Sequence, residues 1–67
     1  MKRSIEVNNK LKEIGNRCKQ FRENLGISQL QVANSLGLSQ GMISLFESGY
    51  LNNAIILNWY VSYGYGG

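Results

Sequence analysis

Apolar positions fall at helical spacing in four stretches of the chain. Val7, Leu11, Ile14, Cys18, Phe21 and Leu25 recur every three or four residues. That spacing puts them on one face of a helix over about residues 8–25, which Gly26 ends. Val32, Ala33 and Leu36 give the inner face of a second, short helix starting at Gln29. Ser28 is its N-cap, and Gln31 stands three residues on, where a capping box needs Glu or Gln. Gly37 sits where left-handed backbone ends a helix cheaply. Ser39 caps a third helix, Gln40–Ser48, which turns Ile43 and Phe46 inward and stops at Gly49. Residues 49–53 read as a loop, with Asn53 capping a fourth helix over 54–63. Residues 1–6 read as a short basic arm and 64–67 as a flexible tail.

The turn between the second and third helices spans only Gly37, Leu38 and Ser39. A link that short makes the helices cross steeply and close together, and the small side chain of Ala33 suits the crossing. This is a helix-turn-helix pattern. It holds the second of its helices proud of the body, so that its outer face fits the roughly 12 Å major groove of DNA. The chain is expected to be all-α, a compact four-helix bundle forming a single domain over 1–67.

Composition narrows the chemistry. A chain of 67 residues buries only about 60% of its unfolded surface, so a partner subunit would help it. One cysteine and no histidine exclude a disulfide framework or a Cys/His zinc site within one chain. No nucleophile–base pair, metal cluster or Gly-rich phosphate loop is present, so an enzyme is not expected. Neither a signal peptide nor a membrane span is read, and a cytoplasmic protein is expected. Cys18 falls on the inner face of the first helix and reads as a small buried hydrophobe rather than a reactive thiol.

Charge is distributed unevenly. All seven basic residues lie in the first 22 positions, against Glu6 and Glu13, leaving that segment at +5 and the remainder at −2. A basic end suits a phosphate backbone; a solvated helix face is the plainer account. The same choice applies to Lys2 and Arg3, which either lie along a DNA groove or belong to a frayed terminus.

The string GISQLQVANSLGLSQGMISLFESG resembles the helix-turn-helix of the Cro/phage-repressor (Xre-type) family. Ser28-Gln29, Val32-Ala33, Leu36-Gly37, Leu38-Ser39, Ile43-Ser44, Phe46-Glu47 and Gly49 carry the match. The resemblance implies a lambda-repressor-like bundle with double-stranded DNA as partner. It implies a partly buried ion pair between Arg22 and Glu47, and a phosphate contact from Gln29. It aligns Gln40 with a glutamine that reads adenine, followed by Gly41, which permits close backbone approach. Ser44 would bond a base or a phosphate, and Met42 and Leu45 would touch thymine methyl groups. Ser39, Ser48, Asn52 and Asn53, with Lys2 and Arg3, complete the expected phosphate contacts. The chain departs from the family in one respect. Its recognition helix and following loop hold no Lys or Arg, so modest affinity is expected.

The fourth helix, AIILNWYVSY, is apolar on more than one face. One face closes the core. A second must be hidden, and the simplest cover is another copy of the chain, through Ile56, Trp59, Tyr60 and Tyr63; otherwise all of these residues fill the core. The expected function is a sequence-specific DNA-binding transcriptional regulator, a repressor acting as a homodimer. No cofactor, metal or small-molecule ligand is expected. The alternative is a protein-interaction module on the same scaffold, which binds another regulator instead of DNA.

Overall fold

The structure, a computed structural model, describes residues 2–66, with side chains from Asn9 onward. Four helices follow one another: α1 (Lys2–Asn24), α2 (Gln29–Leu36), α3 (Gln40–Ser48) and α4 (Ala54–Ser62). No strand occurs among the described residues. α3 lies between α1 and α2. The core joins Cys18 of α1, Val32 and Ala33 of α2, Ile43 and Phe46 of α3, and Ile56, Trp59 and Tyr60 of α4.

Local signals explain the boundaries. Ser28 Oγ accepts from the Gln31 N–H at 3.1 Å, and Gln31 Oε1 accepts from the Ser28 N–H at 2.8 Å, a complete capping box. Gly37 (φ 69°) and Gly49 (φ 86°) take left-handed backbone at the ends of α2 and α3. The residues after them return N–H groups to the helices, Leu38 to the Ala33 carbonyl and Tyr50 to that of Leu45, both at 2.9 Å.

Two expected boundaries change. α1 begins at Lys2, not near residue 8. The stretch read as an arm has helical backbone, since no glycine or proline interrupts the chain before Gly15. The side chains of Lys2, Arg3 and Val7 lie outside those described. Leu25 falls just beyond the helix and is exposed, and Ile27 packs against the core instead. The expected flexible tail also folds back. Gly64 (φ 111°) turns the chain, and Tyr65 N–H reaches the Tyr60 carbonyl at 3.0 Å. The Tyr65 ring then meets Phe21 edge-on, with centroids 6.0 Å apart. A hydrophobic residue after a left-handed glycine commonly closes a helix end this way. Gly67 lies outside the described residues.

Gly15 and Gly49 set the spacing of α1 and α3. A Cβ on Gly15 would stand 2.5 Å from the Phe46 carbonyl oxygen and 2.6 Å from that of Glu47. One on Gly49 would stand 2.6 Å from Lys12 Cα. The C-terminal half of α3 therefore rests directly on α1, with no side chain between the backbones at Gly15.

Candidate nucleic-acid interface

α3 turns two different faces to its surroundings. Ser39 Oγ caps it by accepting from the Met42 N–H at 3.3 Å. Ile43, Phe46 and Glu47 are buried, whereas Gln40, Gly41, Ser44, Leu45 and Ser48 are exposed and Met42 is half-buried. All five residues expected to meet bases thus lie on or at the edge of one solvent-facing surface. Nothing but Ser39 Oγ, at 3.9 Å, lies within 4 Å of a Cβ added to Gly41. The fold itself therefore does not require glycine there.

Beneath this surface lies a polar network. Arg22 donates to Glu47 twice, Nε to Oε2 at 2.8 Å and Nη2 to Oε1 at 3.1 Å, and its Nη1 donates to the Ile27 carbonyl at 2.7 Å. Both residues are buried. Glu47 accepts two further bonds, from Gln29 Nε2 at 2.9 Å and from the Tyr60 hydroxyl. Burial alone would raise the Glu47 carboxyl; the bonds from Arg22, Tyr60 and Gln29 overcome it and hold the group below the usual carboxylate range. Burial, and then the bond to Glu47, push the Tyr60 hydroxyl far upward. Removing one partner from such a buried pair costs roughly 3–5 kcal/mol, since the other charge is stranded.

The residues expected on phosphates differ in what they have left to offer. The Gln29 side chain is half-buried and engaged: its Nε2 is given to Glu47, and its Oε1 accepts from Gln40 Nε2 at 3.4 Å. What it can present to an anion is its backbone N–H in the first turn of α2. Ser39 Oγ is used as an acceptor, so its hydroxyl hydrogen is what it can donate. Asn53 Oδ1 caps α4 by accepting from Ile55 and Ile56 N–H at 2.8 and 3.0 Å, which leaves its amide nitrogen. Ser48 and Asn52 are exposed. The cation missing from the 49–53 loop stands beside it: Lys12 Nζ of α1 lies 5.8 Å from the centre of the exposed Tyr50 ring.

Of the four residues expected at a dimer interface, three fill the core of a single chain. Ile56 and Tyr60 are fully buried and Trp59 nearly so; Tyr63 is exposed, stacked on Trp59 with centroids 4.4 Å apart. A helix apolar all round gives no clue to which face turns inward. The exposed apolar residues of α4 itself are Ile55 and Val61.

Sequence reasoning missed the structural work of Gly15 and Tyr65, and it placed Tyr60 at a dimer interface rather than on Glu47. Gly15 carried a signal, a glycine in mid-helix, which often marks close backbone approach. Tyr60 and Tyr65 carried none, since a tyrosine in an apolar stretch does not announce where its hydroxyl points. Cys18 is buried, and desolvation pushes its thiol up to about 11.

Among the described residues, no helix is long and apolar enough to cross a membrane, and no group of acidic, His or Cys side chains could hold a metal ion. A helix-turn-helix family model matches residues 19–53, from the last turns of α1 through the loop after α3. No curated protein and no solved structure matches the chain. The matched stretch is just over half of the 67 residues, and it contains the capped helix pair, the left-handed Gly37 and Gly49 and both ends of the Arg22–Glu47 bridge. The chain belongs to the Cro/phage-repressor (Xre-type) helix-turn-helix family of DNA-binding regulators.

Proposed function

We propose that the protein is a sequence-specific repressor that binds double-stranded DNA as a homodimer, with α3 in the major groove. The observation that carries the reading is the division of α3, in which Ile43, Phe46 and Glu47 anchor one side and Gln40, Gly41, Ser44 and Leu45 stand free on the other. Gln40 reads a base edge, Ser44 a base or a phosphate, and Met42 and Leu45 meet thymine methyl groups. The first turn of α2 at Gln29, the hydroxyls of Ser39 and Ser48, and the amides of Asn52 and Asn53 hold the backbone, joined by Lys2 and Arg3. Two copies meeting through the outer side of α4 (Ile55 and Val61), with the exposed Tyr63 just beyond its end, would present recognition helices to half-sites about 34 Å apart. Occupying a promoter is the simplest way for such a dimer to act.

Selection from random duplexes followed by footprinting tests this. The expected result is a two-fold symmetric site whose affinity falls steeply as salt rises, because phosphate neutralisation releases counterions. The second reading, a module that binds another protein, draws on the absence of Lys and Arg from α3 and on the exposure of Leu30 and Leu45. It requires no selected site, and a partner interaction that barely responds to salt.

A further inference from the structure

Of the seven basic residues, six have an acidic residue three or four positions away or, for Arg22, across the fold. Lys2, Arg3 and Lys10 stand at those spacings from Glu6, Arg17 from Glu13 and Lys19 from Glu23, and side chains so spaced meet on a helix surface. Arg17 is bonded to Glu13 at 2.6 Å, and Arg22 is buried against Glu47. Lys12 is the exception. The positions three and four away from it are Asn8, Asn9, Gly15 and Asn16, all uncharged. Among the described residues it forms no ion pair.

Tertiary packing seats this cation at the loop after α3. A Cβ on Gly49 would stand 2.6 Å from Lys12 Cα and 2.7 Å from Lys12 N, so the first residue of the loop rests on the Lys12 backbone. The next residue, Tyr50, is tied by its N–H to the Leu45 carbonyl at 2.9 Å. Lys12 Nζ lies 5.8 Å from the centre of the Tyr50 ring. An aromatic face attracts an ammonium without neutralising it. Both side chains are exposed, so the charge stays open to an anion.

We infer that Lys12 binds a DNA phosphate beside the C-terminal end of α3, supplying from α1 the positive charge that α3 and its loop lack. The inference rests on the reading of α3 as a helix in the major groove. At about 1.5 Å per residue, the nine residues of α3 are about as long as the groove is wide. With its exposed face on the bases, its ends therefore come near the phosphate strands. The C-terminal end meets one with uncharged residues only, unless Lys12 joins them. A cation at that end also suits the helix dipole, which is the purely structural account of Lys12.

The test measures affinity against salt for wild type, Lys12→Gln, Lys12→Arg and Lys10→Gln, on the selected operator and on an unrelated duplex of equal length. Lys10 is exposed and sits two positions before Lys12, about 200° around the helix, so its loss changes net charge equally on another side of α1. Lys12→Gln should weaken binding to both duplexes alike, by about threefold to tenfold at 0.1 M salt, and lower the salt slope by about 1. Lys12→Arg should keep the slope, and Lys10→Gln should leave it near the wild-type value. A Lys12→Gln protein with the wild-type slope, whether or not its thermal midpoint falls, overturns the phosphate contact and leaves the major-groove reading standing. So does a Lys10→Gln that lowers the slope as much as Lys12→Gln. A wild-type protein that selects no duplex, or binds one without salt dependence, overturns both.

Discussion

A methyl group on Gly15 would stand 2.5 Å from the carbonyl oxygen of Phe46. The obstacle is backbone, not the end of a flexible side chain, so it cannot swing aside. Alanine improves intrinsic helix propensity by about 1 kcal/mol over glycine. Overpacking at a helix crossing costs typically about 1–3 kcal/mol and more where backbone must shift. The clash wins. Gly15→Ala should lower the thermal midpoint, and thermal unfolding followed by circular dichroism measures it. An unchanged or raised midpoint would show that α3 can lift off α1 at little cost.

Gly41 presents the opposite case. Its added Cβ meets open space apart from Ser39 Oγ, and its helical backbone suits alanine. Gly41→Ala should raise stability by about 0.5–1 kcal/mol. If the glycine is there to let α3 approach DNA closely, the same change weakens operator binding. Denaturant titration and operator affinity should therefore move in opposite directions.

Acid and alkali attack different parts of the core. The folded Glu47 carboxyl lies below its ordinary value of 4.5. Its contribution to stability is whole above that value and is lost as the pH falls through the lower, folded one. Cys18 works in the other direction, since its thiol rises from 9.0 to about 11 on folding. Its contribution, on the order of 2–3 kcal/mol, is whole below pH 9.0 and drains away as the pH climbs toward about 11. Unfolding free energies measured from pH 8 upward (about one unit below the thiol's ordinary value) should fall less steeply in Cys18→Ala than in wild type. Identical slopes would rule the thiol out as their source.

Ile55 and Val61 carry a prediction about assembly. Both are about half exposed, at 59% and 51%, so placing aspartate there disturbs no core packing. Stability of the single chain should stay within about 0.5 kcal/mol of wild type. If α4 joins two copies, Ile55→Asp or Val61→Asp should convert a dimer to a monomer in analytical ultracentrifugation and weaken operator binding. Tyr60→Phe should leave the dimer intact, because its ring lies inside one chain.

Much of the helix-turn-helix was legible in the residues themselves. Caps, left-handed glycines and apolar spacing act within a few positions, so Ser28 with Gln31, Gly37, Ser39 and Gly49 mark α2, its turn and α3 before any packing is known. The same spacing separates Gln40 and Ser44 from Ile43 and Phe46. The start of α1 was less legible, because Asn8 and Asn9 are residue types that commonly cap a helix, whereas the helix runs on through them from Lys2 with no breaker in residues 2–7. The fold-back of Tyr65 was obscured by the glycines around it, which read as slack chain.

By itself the sequence determined the helix-turn-helix, the inward positions Ile14, Cys18 and Phe21 of α1 and the uncharged character of the exposed face of α3, because each depends on periodicity, on residue type or on a cap within one turn. Only the tertiary structure decided which face of α4 fills the core, that Gly15 carries the crossing of α1 and α3, and that Tyr60 completes the shell of donors around Glu47. Those outcomes depend on where residues far apart in the chain meet. Neither an apolar helix with no polar side nor a hydroxyl on an aromatic ring carries that information in its local pattern.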